Sequence, residues 1–515
     1  MAEPLPRRAD VCIIGAGHNA LVAATLLARA GLDVLVLERD HVIGGAARTE
    51  QPFPRVPGLR QSTGSYLLGL MPPELERELD LRLPLVRRDP HYFLPTLDSR
   101  YLLVGSDHDA AARQLGEFFS AADVEADARL QAELAALRED LAPAWLAEPL
   151  PLDATAERYI RPALRDGFVD LVRGDVTSYL TKFGFRSELI LAMYVVTDGL
   201  SGVSGGPDTP GTGHNFLVHN MCRLPGADGT WMIVRGGMGT VTATIADRAR
   251  AAGARIVTDA PVARVETVGG GVAGVTLADG QTVAATTVVA GCDPFTLAEI
   301  APLPAQLAGH LEQLRRPGTT LKVNLALRDL PRFGCLPPDA PSPFGSTIHL
   351  LPQDAPLAAI RAMWHDVEAG RLPDFPTIEW YLHTTADPSL QDPAGHHSSA
   401  LFVQSVPWQP AGSSWAAEQD KYVEHLLDIC EDFAPGTRDL VADTFPLPPP
   451  GIESHFGIRH GHIHHVDNTV AFDQRMPYAT GIDGLYACSA GCHPAGSVIG
   501  AAGHNAAKRV LADLA

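Results

Sequence analysis

Positive charge is scarce in this 515-residue sequence. Forty Lys and Arg stand against 60 Asp and Glu, a formal net charge of −20. Grip on a phosphate backbone needs clustered Lys and Arg, so no nucleic acid is expected as a partner. Nor is there an electrostatic pull towards anionic lipid headgroups. Long apolar runs are also missing, since nothing approaches the ~20 residues that span a bilayer. The richest stretch, Leu189 to Val196, reads as a buried helix or as one touching a membrane surface, so a peripheral membrane contact stays open. The seven cysteines are scattered, odd in number and without a CxxC pair. That argues against a disulfide framework and for a reducing, cytoplasmic setting. Cys488 and Cys492 could meet on one helical face, but read as two small buried residues. Met1 to Asp10 leads into an apolar run that meets Gly15 almost at once, too short for the core of a secretory signal. There is no internal repeat or low-complexity tract. Hydrophobic residues make up 46% and charged residues 19%, which is ordinary for a globular chain and, at this length, implies two or more packed domains.

The first informative segment is Asp10-Val-Cys-Ile-Ile14, a short apolar run with β-branched residues that predicts a buried parallel strand. Gly15-Ala16-Gly17-His18-Asn19-Ala20 follows, then helical spacing from Leu21 to Ala30, closed by Gly31. Asp33 to Leu37 predicts a second buried strand, with Glu38 and Arg39 at its end. Each part has a physical task. Gly15 permits the tight turn, Gly17 lets a pyrophosphate approach the backbone, and Ala20 still allows close helix–strand packing. The helix N-terminus offers unpaired N–H groups to phosphates. Glu38 stands where a carboxylate accepts from ribose hydroxyls and repels a 2′-phosphate. Gly44-Gly45-Ala46-Ala47-Arg48 comes soon afterwards. Its paired glycines let backbone lie against a dinucleotide, and Arg48 reads either as a cation for the pyrophosphate or a ring edge of that dinucleotide or as a surface ion pair.

Farther along, residues 107–146 have helical spacing and predict one or two amphipathic helices. Arg186 to Thr197 predicts another, and the Gly-, Ser- and Pro-rich stretch Asp198 to Gly213 a loop. A Gly236-Gly237-Met238-Gly239 turn leads into a helix from Thr240, and short runs between Ala254 and Ala290 separated by glycine turns predict a β-meander. Strands are expected at 320–327, 377–384 and 400–406, a helix at 415–433, and a stiff connector at Pro446 to Pro450. At the end, Leu485 to Ala507 reads as a strand, a small-residue loop through Gly491, Cys492 and His493, and a helix from Val498 and Ile499. Small residues imply that something large lies on the backbone. A helix N-terminus aimed at it would favour negative charge there.

These motifs together resemble the phytoene desaturase (phytoene dehydrogenase-like) family of FAD enzymes. The Gly-His-Asn form of the first turn is similar to the branch that includes pyridine nucleotide-disulphide oxidoreductase domain-containing protein 2. The resemblance touches both ends and the meander. It implies FAD as cofactor and an α/β fold (α+β overall), with a Rossmann-like FAD-binding domain of the amine oxidase and phytoene desaturase type. An interleaved mixed-sheet and helical substrate domain accompanies it. The FAD unit would comprise 1–105, 226–300 and 455–515, and the substrate unit 106–225 and 301–454. Val262 matches the position whose backbone meets adenine. Many related flavoproteins place an acid after the equivalent of Gly491 to hold the ribityl chain. Cys492 stands there here, so backbone N–H groups must do more.

The chemistry implied is dehydrogenation (desaturation) or isomerisation of a largely apolar small molecule by hydride transfer to flavin N5, with O2 or a quinone as electron acceptor. Such a site must exclude water and gains from a base that takes the second proton. His493 is one candidate, or else a structural residue of the Pro494 turn; His219 and Arg235 are weaker ones. The histidine-rich run His460, His462, His464 and His465 reads as pocket lining or a polar loop, with no metal site expected. Two alternatives stay open: an FAD-dependent amine or amino-acid oxidase, and a flavin-binding scaffold or chaperone without turnover.

Overall fold

The computed structural model describes residues 5–227 and 229–515. Met1 to Pro4 of the opening segment and Asp228 lie outside the described residues.

A five-stranded parallel sheet carries both ends of the sequence. Its order is Leu485–Ala487, Thr287–Ala290, Val11–Ile14, Val34–Leu37 and Arg255–Val257. All four residues of Val11–Ile14 and of Val34–Leu37 are buried, as expected of β-branched runs covered on both faces. Strand register sets the shape of the sheet's edge. Ile14 pairs with Leu37 and with Ala290, and Ala290 pairs with Ala487. The strands therefore end level, and Gly15, Glu38, Gly291 and Cys488 leave the sheet along one edge. In open α/β sheets this carboxyl edge is where ligands bind.

The helix His18–Arg29 comes directly after the first turn and is crossed by the last helix, Ala501–Leu514. A Cβ on Gly503 would lie 1.9 Å from the Asn19 carbonyl oxygen, so the helices touch backbone to backbone there. The last helix begins at Ala501, beyond the expected start at Val498, because Gly500 with φ of 82° cannot continue a right-handed turn from its own position.

The expected meander is smaller than the sequence implied. Val262–Val268, Gly271–Leu277 and Thr282–Ala284 form a three-stranded antiparallel sheet. The runs before and after it join the parallel sheet instead. A second large sheet has the order Val441–Leu447, Leu321–Leu327, His397–Val403, Ile378–Tyr381, Thr347–Leu350, Tyr92–Pro95 and Tyr101–Val104. Its last two strands come from within 1–105; they form an antiparallel hairpin with each other, and Tyr92–Pro95 attaches them to this sheet by pairing parallel with Thr347–Leu350. Pro446 is part of an edge strand, where its missing N–H costs no ladder bond. Pro449 and Pro450 open a helix, Pro449–Phe456, so the expected stiff connector is a strand–helix junction.

Helices between His108 and His219 pack into a third layer with its own apolar core, which includes Leu130, Phe168, Tyr179 and Phe216. Ile190, Ala192 and Met193 are buried in it. No helix among the described residues is long and apolar enough to cross a membrane. The seven cysteines are all free.

Candidate functional site

A single cavity of about 590 Å3 runs from the carboxyl edge of the parallel sheet to the large mixed sheet. Its first half is a groove of backbone. Gly15, Gly17, His18, Asn19 and Ala20 of the first turn line it, with Glu38 and Arg39 after the second strand, and Gly44, Gly45 and Ala46 after those. Val262 lines it from the small sheet, and Ala490, Ser497 and Val498 from the closing loop. Gly17 and Gly44 bridge as neighbouring parallel strands do. Gly44 has φ of 112° and an added Cβ would stand 2.8 Å from Thr242 Oγ1, so only glycine serves there.

Glu38 sits at the centre of the groove. Its Oε2 accepts the Ala16 N–H at 2.7 Å and its Oε1 the Asp40 N–H at 3.0 Å. Ala16 itself is buried behind the turn. Burial pushes the Glu38 pKa up, and the two backbone donors pull against it. Each oxygen keeps a lone pair for a further donor such as a ribose hydroxyl. Along the same wall His18 Nε2, Asn19 Oδ1 and His465 Nδ1 are buried and unpartnered. Buried polar groups are rarely left alone, so these atoms fit a polar ligand. With level backbone N–H groups at a helix N-terminus and the ribose acid beside them, the groove suits FAD.

Besides Ala16, four residues expected to bind the cofactor do not line the cavity. Arg48 is buried elsewhere, bonded to Asp40 Oδ2 at 3.0 Å, Glu50 Oε2 at 3.3 Å and the His455 carbonyl at 3.2 Å. It locks the Gly44-Gly45 segment to the C-terminal third of the chain rather than offering charge to a phosphate. Cys492 is fully buried, and its carbonyl accepts from Arg475 Nε at 3.2 Å. Gly491 packs on Pro294, and Ile499 joins the core of the helical layer.

The base candidates separate similarly. His493 faces the helical layer, where its Nε2 meets the Ala144 carbonyl at 2.9 Å beside a small cleft of its own. Burial lowers its pKa to about 4. Arg235 is exposed and away from the cavity. His219 does line the cavity, with burial lowering its pKa to about 4 and Asp198 at 4.0 Å. Of the histidine run, His464 and His465 line the cavity, whereas His462 Nε2 pairs with Asp467 Oδ2 at 3.0 Å behind it. The run is a short turn and loop, not the strand on which three rings would share a face.

The second half of the cavity is a chamber that sequence reasoning missed. Tyr66, Arg88, Lys322, Glu379, Tyr381 and Phe402 line it, joined by Asp198 and Trp231. Lys322 Nζ lies 4.4 Å from the Tyr66 ring centroid and 4.2 Å from that of Phe402, a cation held over two π-faces. Burial lowers its pKa to about 7 against the pull of Glu379, whose own pKa burial raises to about 7. One signal was available. A lysine inside the apolar strand Leu-Lys-Val-Asn-Leu-Ala-Leu and a glutamate inside Ile-Glu-Trp-Tyr are out of place in fully buried strands unless a pocket receives them.

The sheet edge, ribose acid and closing loop define a dinucleotide-binding flavoprotein fold. Residues 21–378 match the family described as Flavin containing amine oxidoreductase. The chain belongs to that family and is an FAD-dependent oxidoreductase. It is 34% identical over 557 residues to pyridine nucleotide-disulfide oxidoreductase domain-containing protein 2 of Mus musculus, covering 98% of this chain and 94% of that one. It is 26% identical over 539 residues to hydroxyneurosporene desaturase of Cereibacter sphaeroides, covering 98% of each. Wild-type putrescine oxidase bound to putrescine has a similar fold, with TM-score 0.60, 16% identity and coverage of 98% and 99%.

Proposed function

We propose that the protein dehydrogenates (desaturates) or isomerises a largely apolar organic molecule, which enters the chamber and is held against the flavin. One observation carries this reading: the cofactor groove and the chamber are a single cavity, so a molecule in the chamber reaches whatever the groove holds. Resemblance to a desaturase over 98% of both chains supports it. Bound FAD supplies the two-electron acceptor. The chain's own residues supply orientation, dryness and a place for a proton. Leu67, Trp231, Phe402 and Ile463 give the chamber apolar walls, which position a carbon skeleton and keep water out. His219 lines the cavity and is neutral at pH 7 with its lowered pKa, so its ring offers a nitrogen for the proton that leaves as a double bond forms.

The test is anaerobic. FAD-loaded protein is mixed with candidate alkenes and alicyclic compounds and the flavin absorbance near ~450 nm is followed. Bleaching by such compounds, slowed at least tenfold in His219→Ala (about 1.4 kcal/mol in barrier), is the expected result. A protein that holds FAD, is reduced by none of them and shifts no double bond in any of them contradicts the reading, and peroxide release on amines would mark the amine-oxidase alternative instead.

A further inference from the structure

The chamber holds a guanidinium that no carboxylate among the described residues meets in a hydrogen bond or ion pair. Arg88 is 5% exposed and lines the cavity. Its Nε donates to the Trp231 carbonyl at 2.8 Å and its Nη1 to Thr347 Oγ1 at 2.8 Å. Both acceptors are neutral, and Arg88 takes part in none of the ion pairs among the described residues. A guanidinium does not give up its proton in a protein, and an unpaired buried charge is costly. An anion from outside would relieve that cost.

The carboxyls of the same chamber do not meet the need. Glu379 accepts from the Tyr381 hydroxyl and from Gln404 Nε2 at 2.6 Å. Asp198 accepts from Asn220 Nδ2 at 3.2 Å. Burial raises the pKa of each, with Lys322 and Arg88 pulling that of Glu379 back down, and neither carboxyl makes a hydrogen bond or an ion pair with Arg88 among the described residues. Meanwhile Tyr66, 7% exposed, has a buried hydroxyl with no partner. Its ring lies 5.2 Å from that of Tyr381, which in turn feels the Arg88 charge. Lys322 stands over Tyr66 from the other side. Arg88, Lys322 and an open hydroxyl thus line one chamber, while its carboxyls, Glu379 and Asp198, are hydrogen-bonded to other residues.

We infer that the substrate carries a carboxylate at one end of its apolar body, and that Arg88 and the Tyr66 hydroxyl bind that carboxylate. The inference rests on reading the cavity as the substrate chamber of an FAD enzyme. Arginine suits the task because its planar fork matches a carboxylate in two hydrogen bonds. The apolar body would then lie along Trp231, Phe402 and Ile463.

Calorimetric titration of the FAD-loaded protein with octanoate, 1-octanol and octylamine tests this with three probes of one chain length. Octanoate is expected to bind about tenfold or more tightly than the other two, as charge-assisted hydrogen bonds imply. Arg88→Met should weaken octanoate by a similar factor, and Arg88→Lys, which keeps the charge and loses the fork, should fall between. FAD content is measured in every sample so that affinity is expressed per loaded site. Absence of octanoate binding, octylamine or octanol binding as tightly as octanoate, or an unchanged affinity in Arg88→Met overturns the proposal. Should Arg88→Met fail to fold, the rank order of the three probes on the unaltered protein decides. A protein without the visible flavin band before any probe is added overturns both this inference and the reading beneath it.

Discussion

Glu38 and Lys322 are both charged side chains in places where water is sparse, and their surroundings treat them in opposite ways. Glu38 has two backbone donors in place, so its carboxylate is held ready for a third. Glu38→Ala should weaken FAD by about 10–100-fold, the worth of one or two charge-assisted hydrogen bonds. Fluorescence quenching of free flavin during titration measures it, and an affinity within threefold of the unaltered protein would contradict the role. Lys322 stands over two π-faces and feels the pull of the Glu379 carboxyl. Its pKa falls from 10.5 to about 7. The folded state therefore binds fewer protons than the unfolded one between those values, and the destabilisation from burying the ammonium is full below about pH 7 and fades as pH rises towards 10.5. Lys322→Met should accordingly melt several degrees above the unaltered protein at pH 6, with that advantage shrinking at pH 10. A difference independent of pH would show that Lys322 is solvated.

Among elements, the crossing of His18–Arg29 by Ala501–Leu514 is the tightest join near the groove. Gly503 meets the Asn19 carbonyl, and Asn19 and His18 line the groove. Gly503→Val should cost about 3 kcal/mol or more, as overpacking does in a close-packed core, and should reduce FAD retention too, because the first turn moves with its helix. Urea unfolding combined with FAD content after gel filtration checks both halves. Loss of stability with full FAD retention would mean that the crossing and the groove are independent. The elements also explain which parts of the site are legible in the sequence. Gly15 to Ala20 and Glu38 belong to one strand–turn–helix–strand unit, so their spacing fixes their neighbours. Arg48 comes just after the same unit, yet the turn after Gly45 directs it to Asp40, Glu50 and His455, and residue spacing is the same whichever way that side chain points. His493 stands out in the sequence because it adjoins the closing loop. The loop does reach the cavity, but through Ala490, Ser497 and Val498, while His493 turns to Ala144.

For the whole molecule, the cavity lies where the parallel sheet, the mixed sheet and the helical layer meet. A ligand there touches all three and should stabilise them together. Removing FAD is expected to lower the melting temperature and to split or broaden the transition. Restoring FAD at about 1,000 times its dissociation constant should return about 4 kcal/mol. Calorimetry with and without added FAD measures this, and identical single transitions would mean that the cofactor does not bridge the layers.

The sequence alone determined the nucleotide half of the protein, because βαβ signals are local: apolar strand, glycine turn, helix and acid all fall within one short stretch, Val11 to Glu38. Only the tertiary structure decided that both ends share one sheet edge, since strand register is a long-range pairing that no local pattern encodes. It alone assembled the chamber, whose Tyr66, Arg88, Lys322 and Glu379 lie on separate segments and become neighbours only when the mixed sheet folds over the groove.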